Sequence, residues 1–293
     1  MANSSTPSSA SPVPNGEFAF TWNDFRQIAA FVHAEAGIVL SDTKANLVYS
    51  RLAKRLRAIG LESFRDYCAL VESGDGADER QLLIAAMTTN VTRFFREQHH
   101  FDHLTAKVLP PLAAAARKGG RVRIWSSACS SGEEPYSIAL ALLGVMPDAG
   151  QFDILILASD IDPNMLSRGE EAAYPLARLA DIPANMRAKW IEKHPSESDT
   201  QFRFAEPVRN LVRFRTVNLL KTWPARGRFD VIFCRNVMIY FDQATQDVIW
   251  SRFASAMTPR GHLYIGHSER IDTETQPFTL VSQTTYRLTD KTS

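Results

Sequence analysis

Two patterns of hydrophobic and polar positions divide the chain. Over residues 18–89 the apolar residues recur at helical spacing, and cap-type residues and glycines separate four short runs. From Arg121 onward, short apolar runs alternate with helical runs, which is typical of a parallel sheet with helices on both faces. The chain is therefore predicted to be an α/β protein. It has an all-helical N-terminal domain, a linker and connecting helix over residues 90–120, and a sheet domain over residues 121–293.

Single residues predict where two of the helices begin and end. Thr21 or Asn23 can cap the first helix, and Gly37 can end it in a left-handed turn. The connecting helix is expected to start at Gln98. It is expected to end near residues 110–111, which are both proline, because proline cannot continue a helix.

One region interrupts the alternation of strands and helices. Residues 174–194 have a helical and polar pattern, and two short strand patterns follow at residues 201–204 and 211–215. This stretch is too long for an ordinary loop between a strand and a helix. We therefore expect a small antiparallel β insertion at about residues 196–216. The chain closes with the pattern of an antiparallel hairpin over residues 278–288, expected at the sheet edge.

The stretch RVRIWSSACSSGEEPY, residues 121–136, has the pattern of a strand, a turn of small residues and a helix. In α/β sheets this arrangement forms a nucleotide crevice at the end of the first strand, although an ordinary tight turn shows the same spacing. The G-x-G-x-x-G fingerprint is absent, and Glu133 and Glu134 stand where a pyrophosphate would meet the helix. A cationic or neutral adenosine ligand fits better. S-adenosylmethionine, a sulfonium cation, is the candidate.

The later strands are also followed by polar residues. A second buried strand, residues 154–159, ends in Asp160, and an acidic residue at this position holds the ribose hydroxyls in nucleotide-binding α/β sheets. Two further strands, residues 230–234 and 262–265, are followed by the stretches RNVMIYFD and GHSE.

Composition narrows the class of protein. The 33 basic and 32 acidic residues leave a net charge of +1, so no global field recruits nucleic acid or a membrane surface. No apolar run approaches the ~20 residues needed to span a bilayer, and no secretory signal pattern is present. Residues 1–17 are rich in Ser, Pro and Ala and are expected to form a disordered tail.

The spacing of the cysteines and histidines predicts the cellular compartment and disfavours a metal site. Three cysteines, far apart in the sequence, do not form a disulfide framework, which predicts a reducing, cytoplasmic location. No pair of residues has the spacing typical of zinc ligands. The adjacent His99 and His100 are interpreted as helix surface or core, and no metal is expected.

Several stretches together resemble the signature stretches of the bacterial chemotaxis receptor methyltransferases, the CheR type. They are NVTRFFR (90–96), SSACSSGEEPYS (126–137), ASDID (158–162), NLL (218–220), FCRNVMIYFD (233–242) and GHSE (266–269). The resemblance runs from about Phe18 to the end of the chain. It implies a class I methyltransferase sheet, an all-helical N-terminal domain and a small inserted antiparallel β subdomain. Cys129 and Ser131 depart from the Ala and Thr that relatives often have, but both are small.

The resemblance implies an activity and a site. The activity is transfer of the methyl group of S-adenosylmethionine to glutamate side chains of membrane chemoreceptors, giving glutamyl methyl esters, by a cytoplasmic monomer. Arg96 and Tyr240 would lie nearest the reacting methyl group. The residues that would contact the cofactor are Asn90, Thr92, Arg96, Ala128, Glu134, Asp160, Asn218, Leu219, Arg235 and Asn236.

The second helix of the N-terminal domain is basic on the side away from its apolar residues. Such charges usually form a solvated face. The resemblance favours a docking surface for an acidic receptor, formed by Arg51, Lys54 and Arg55 together with the β insertion.

The residues are compatible with this chemistry, and three alternatives remain. A glutamate is ionised at pH 7 and needs no general base, so the enzyme has to dehydrate it and align it with the S–CH3 bond. Arg96 can hold one carboxylate oxygen, and Tyr240 can orient the methyl group. The alternatives are a methyltransferase or sensor for another protein or small-molecule acid, an NAD-dependent oxidoreductase, and a helix-turn-helix nucleic-acid reader.

Overall fold

A computed structural model describes residues 16–193, 200–223 and 227–289. Most of the expected tail, residues 1–15, and part of the expected β insertion, residues 194–199, lie outside the described residues. The chain divides into two compact units, with the division between Thr88 and Thr89. None of the described helices is both long and apolar enough to cross a bilayer.

The N-terminal unit is all-helical. Its helices are α1 (Trp22–Ala36), α2 (Ala45–Ile59), α3 (Phe64–Glu72) and α4 (Ala77–Met87). Thr21 caps α1 in a reciprocal capping box with Asp24, and Gly37 ends the helix with φ +72°. Of the two caps predicted for this helix, Thr21 is the one that is used. The core contains the apolar side chains at helical spacing, including Phe25, Val32, Val48, Leu52, Leu56 and Phe64.

The connecting helix is longer than predicted. It runs as α5 (Gln98–His103), a π-helical turn (Leu104–Val108) and α6 (Leu109–Arg117), so the expected end near Pro110 and Pro111 is wrong. The wider π turn precedes the two prolines. Their rings and missing N–H groups therefore fall in what is geometrically a new first turn, where proline is tolerated.

A seven-stranded sheet forms the centre of the second unit, in the order β6-β2-β1-β7-β8-β10-β9 among the described residues. Its strands are β1 (Val122–Ser127), β2 (Ile154–Asp160), β6 (Val212–Thr216), β7 (Phe229–Cys234), β8 (Met257–Ile265), β9 (Phe278–Ser282) and β10 (Thr285–Leu288). The neighbouring strands β6, β2, β1, β7 and β8 are parallel to one another. Strand β10 pairs antiparallel with both β8 and β9, which confirms the closing hairpin at the edge.

Both faces of this sheet are buried. Ile124 of β1 and Val231 of β7 belong to one hydrophobic cluster, whereas Trp125 and Ile232, one residue further along, belong to another. This alternation follows from the period of two in a strand. The helices that accompany the sheet are α7 (Glu133–Val145), α8 (Pro163–Glu171), α10 (Glu206–Arg209) and α11 (Gln243–Ala256).

The β insertion is present, but it lies earlier than expected. A three-stranded antiparallel sheet has the order β3-β5-β4, with β3 (Ala173–Pro175), β4 (Ile191–Lys193) and β5 (Gln201–Phe204). Residues 174–194 were expected to be helical, but only α9 (Ala184–Trp190) and a preceding 3₁₀ turn are. Strands of three residues are too short to show a period of their own.

The second strand pattern assigned to the insertion belongs to the main sheet instead. Strand β6 pairs in parallel with β2, in the register Ile156 with Val212 and Asp160 with Thr216. Val212 and Phe214 are buried, whereas Arg213 and Arg215 are exposed. An edge strand of the main sheet and a strand of a small insertion show the same alternation of buried and exposed residues. Only the pairing with β2 shows that β6 belongs to the main sheet.

Candidate active site

The turn between β1 and α7 contains three residues in the left-handed region. Ala128 has φ +64°, Ser130 has φ +50° and Gly132 has φ +93°. Such conformations cost about 1–3 kcal/mol each for residues with side chains, and they concentrate at functional sites. A Cβ atom on Gly132 would come within 3.1 Å of the Gly169 Cα atom, so glycine is required by space as well as by conformation.

Asp160 holds this turn from the end of β2. Its carboxylate accepts hydrogen bonds from the backbone N–H of Ser130 at 2.7 Å and from that of Asp162 at 3.0 Å. Burial raises the pKa of Asp160, and the hydrogen bonds from backbone N–H groups act in the opposite direction. Two backbone donors leave free acceptor positions on the two oxygens. Asn90 reaches the same strand end, because its amide donates to the Asp162 carboxylate at 3.0 Å.

An ion pair joins the start of α7 to the end of β7. Glu134 accepts a hydrogen bond from the Ser126 hydroxyl at 2.7 Å and lies 3.1 Å from the guanidinium of Arg235. Burial raises the pKa of Glu134, and Arg235 opposes this by favouring the charged form. The Arg235 side chain is 2% exposed and also donates to the backbone carbonyl of Arg96. Three of the predicted residues are thus in direct contact.

Glu97 connects further parts of the site and was missed from the sequence. One carboxylate oxygen lies 3.5 Å from the guanidinium of Arg235, and the other lies 3.1 Å from His267 Nδ1 and 3.5 Å from the amide of Asn236. Burial alone would raise the pKa of Glu97, but Arg235 and His267 together hold it below its ordinary value. An acidic residue directly after Arg96 in the motif was the only sequence signal.

The histidine pair lies beside Glu97. Ligand atoms of Glu97, His99 and His100 lie within 4.8 Å of one another, as in a group that could hold a metal ion. His100 Nε2 is 2.8 Å from the Thr284 hydroxyl, and burial lowers the pKa of His100 to about 3, so its ring is neutral at pH 7. The Arg235 guanidinium already supplies positive charge next to the carboxylate. We interpret the group as part of the packed core, in which Glu97 Oε2 and His100 Nδ1 lie 3.6 Å apart.

Glu269 of the GHSE stretch is a second residue missed from the sequence. Its buried carboxylate accepts hydrogen bonds from three backbone N–H groups, those of Gly266 at 2.5 Å and of Val237 and Met238 at 2.9 Å. The last two belong to the loop that follows β7. Glu269 therefore fastens this loop, with Asn236 at its start, to the end of β8.

Both predicted catalytic residues lie at this edge of the sheet. Arg96 is half-buried, and its guanidinium donates to the Val91 carbonyl at 2.9 Å. Tyr240 is half-buried in a 3₁₀ turn, and its hydroxyl has no hydrogen-bond partner among the residues that the structure describes. Arg235 connects the two segments. Its guanidinium donates a hydrogen bond to the Arg96 carbonyl, and it lies five residues before Tyr240 in the chain.

Of the remaining predicted residues, Asn218 and Leu219 follow the carboxyl end of β6, and Thr92 lies in the segment before α5. Asn218 comes after β6, where its side-chain oxygen accepts a hydrogen bond from the Leu220 N–H at 2.9 Å, and Leu219 is buried. Thr92 is half-buried in the segment after Asn90. The parallel strands thus end in a row of predicted site residues along one edge, which is where ligands bind in open α/β sheets.

The predicted docking residues on α2 behave differently from one another. Arg51 donates to the carbonyls of Ala86 and Thr88 at 3.0 and 2.7 Å, which ties α2 to the end of α4. Arg55 forms a two-point ion pair with Glu79 at 2.6 and 3.0 Å. Both arginines therefore have partners inside the helical unit, whereas Lys54 is exposed.

Comparison with known proteins covers both units. The family model described as CheR methyltransferase, SAM binding domain, matches residues 90–287, and the model described as CheR methyltransferase, all-alpha domain, matches residues 23–88. Fold and match define the chain as an S-adenosylmethionine-dependent methyltransferase. The chain belongs to the CheR methyltransferase family. The resemblance, the fold class and the cofactor inferred from the sequence are confirmed.

Relatives of similar length support the same assignment. A probable chemotaxis protein methyltransferase of Rhizobium etli is 49% identical over 89% of this chain and 97% of its own. Chemotaxis protein methyltransferase 2 of Pseudomonas aeruginosa is 42% identical over 95% of this chain and 98% of its own. The chemotaxis protein methyltransferase of Escherichia coli is 41% identical, with 90% of each chain covered.

Proposed function

We propose that this chain methylates glutamate side chains of chemoreceptors, using S-adenosylmethionine and giving glutamyl methyl esters. The main support is the row of site residues after the parallel strands of a family-matched domain, combined with relatives that are named chemotaxis protein methyltransferases. NAD-dependent and nucleic-acid-binding alternatives have no comparable support.

The charges at the sheet edge suit a cationic ligand. Among the described residues at this edge, carboxylates outnumber the guanidinium groups of Arg96 and Arg235; they are those of Glu97, Glu133, Glu134, Asp160, Asp162 and Glu269. S-adenosylmethionine supplies, when bound, a methyl group on a positively charged sulfur. A phosphate-bearing cofactor would instead meet Glu133 and Glu134 in the first turn of α7.

We assign the cofactor contacts as the sequence motifs imply. Asp160 accepts the ribose hydroxyls with the acceptor positions that Ser130 and Asp162 leave free. Ala128 and Glu134 meet the methionine part, and Asn218 and Leu219 flank the adenine. Asn90, Thr92, Arg235 and Asn236 complete the enclosure.

The substrate glutamate needs position rather than activation. Its carboxylate is already the nucleophile, so Arg96 binds one oxygen and turns the other towards the methyl group. Burial of the substrate carboxylate and the methyl group excludes water, which otherwise solvates the carboxylate and weakens it as a nucleophile. The Tyr240 hydroxyl orients the methyl group or donates a hydrogen bond to the substrate carboxylate. No proton has to move in this reaction.

We further propose that the receptor docks against exposed cations of α2 and against the β insertion. Lys54 is an exposed cation of α2 and Lys44 is exposed just before its first residue, whereas the exposed Arg57 is paired with Glu17 at 2.7 Å. Arg51 and Arg55 support the helix by their internal partners and add charge without being the primary contacts.

The proposed function is tested by incubating the enzyme with tritiated S-adenosylmethionine and receptor-containing membranes. Label should appear in the receptor and be released as methanol by mild base, as an ester is. Label that stays attached after base would indicate an amide or thioether. Label in another protein or small-molecule acid would show a methyltransferase with a different substrate.

A further inference from the structure

The β insertion touches the turn between β1 and α7 through Tyr174. This residue lies on β3 and is 4% exposed, and its hydroxyl donates to the Ser131 carbonyl at 2.8 Å. The next residue, Gly132, is also close to it, since a Cβ atom there would lie 2.9 Å from the same hydroxyl oxygen. The contact is therefore both a hydrogen bond and a close packing contact with the turn.

Other elements fasten the preceding residues of the same turn. The Cys129 N–H donates to the Ser159 carbonyl of β2 at 2.8 Å, and the Ser130 N–H donates to Asp160 at 2.7 Å. These bonds hold the first half of the turn to the main sheet. Tyr174 holds the second half, from an element outside that sheet.

The ring of Tyr174 is itself fixed in place. It packs edge-on against Phe94, with ring centroids 4.9 Å apart. It also contacts Phe204 edge-on and Phe202 at a tilt, both of β5 and both with centroids 5.8 Å away. Phe94 lies two residues before Arg96. The insertion thus presents a rigid donor to the turn and packs on the segment that contains the predicted catalytic arginine.

We propose that Tyr174 is a positioning residue for cofactor binding. Its hydroxyl fixes the Ser131 peptide, which lies between Ala128 in the turn and Glu134 in the first turn of α7, the two residues assigned to the methionine part of the cofactor. The inference rests on that assignment. It gives the insertion a role in building the cofactor site, in addition to any role in receptor docking.

Tyr136 provides a matched control. It lies on α7, is 1% exposed, and donates its hydroxyl to the Gly169 carbonyl at 2.8 Å. Its ring belongs to the same aromatic group, with its centroid 6.1 Å from that of Tyr174. Tyr174→Phe and Tyr136→Phe therefore each remove one buried donor to a backbone carbonyl, but only Tyr174 donates to a residue of the turn itself.

The experiment measures S-adenosylhomocysteine binding by calorimetry and the thermal midpoint of both variants. Both midpoints should fall by similar amounts. Tyr174→Phe should raise the dissociation constant about fivefold, as expected for one lost hydrogen bond, and Tyr136→Phe should change it less than twofold. In steady state, Tyr174→Phe should raise KM for S-adenosylmethionine while kcat stays within twofold.

Equal binding by the two variants would show that Tyr174 is only a core residue and would overturn the inference. Asp160→Asn separates this from a failure of the site itself. If Asp160→Asn weakens binding and Tyr174→Phe does not, the site stands and the positioning role falls. If Asp160→Asn leaves binding unchanged, the assigned cofactor site is wrong and the inference falls with it.

Discussion

The guanidinium of Arg235 and the carboxylate of Glu134 form an ion pair at 3.1 Å, with the arginine side chain only 2% exposed. The pair joins the segment after β7 to the first turn of α7. A buried ion pair has little net effect on stability, but removing one partner leaves an uncompensated charge. The pair therefore makes the cofactor edge sensitive to single substitutions.

We expect Arg235→Met to lower the free energy of unfolding at pH 7 by about 3–5 kcal/mol, because Glu134 and Glu97 then face each other without a cation. At lower pH the two carboxyl groups can take up protons, so the difference from wild type should shrink. Urea titrations at pH 7 and pH 5 measure both effects. A loss that is the same at the two pH values would show that lost packing, rather than charge, is responsible.

Asp160→Asn should weaken S-adenosylhomocysteine binding by roughly tenfold or more, since the neutral amide loses charge-assisted hydrogen bonds to the ribose. The amide keeps the shape of the side chain, but its single oxygen replaces only one of the two carboxylate oxygens that accept from Ser130 and Asp162, so part of the loss comes from a loosened turn. Isothermal titration measures the change. Asp148→Asn, which affects only an exposed pair with Arg117, is the control and should bind normally.

Arg96→Ala should lower kcat for receptor methylation by roughly 100-fold, because the carboxylate is then poorly aligned with the methyl group. Binding of S-adenosylhomocysteine should change far less. Arg93→Ala, in the same segment but exposed, is the matched control. Normal turnover by Arg96→Ala would remove this residue from the catalytic step.

Lys54→Glu should raise KM for the receptor about fivefold without affecting cofactor binding, as one reversed surface charge does. Arg55→Glu is not an equivalent test. It would place a like charge against Glu79 and destabilise the helical unit by about 3 kcal/mol or more. Receptor kinetics at two salt concentrations, together with thermal melts, distinguish the two variants. Unchanged receptor kinetics for Lys54→Glu would show that the basic side of α2 is a solvated face and not a docking surface.

Burial of His100 predicts acid sensitivity. Its pKa is lowered from 6.5 to about 3 in the folded protein, mainly by burial and then by Arg235 and His99, so the unfolded chain binds the proton more tightly. Stability should therefore fall as pH drops from 6.5 towards 3, by up to ~1.4 kcal/mol per pH unit for this group.

His100→Gln should reduce this slope when unfolding is followed by urea at several pH values. His262, whose pKa burial lowers to about 4, contributes in the same range and must be replaced in parallel to assign the remainder. A slope that is unchanged in the double variant would contradict the assignment to these two rings.

Much of the candidate site followed from the sequence because its residues occupy fixed places next to regular elements. Asp160 was predicted from its position at the end of a buried strand, and Glu134 from the family resemblance of the stretch around it. Glu97 and Glu269 were not predicted, because only their hydrogen-bond and ion-pair partners identify them as site residues. Glu97 reaches Arg235 and His267, which are more than a hundred residues away in the chain.

The sequence by itself determined the local features: a helix start at Thr21 or Asn23, the left-handed end at Gly37, the strand–turn–helix after Arg121, and the family. These depend on neighbouring residues, so the pattern of a short stretch is enough. The tertiary structure decided that β6 pairs with β2, that Tyr174 forms a strand, and that the π turn lets a helix pass two prolines. The two strand assignments depend on which distant residues pair with each strand, and no local pattern contains that information.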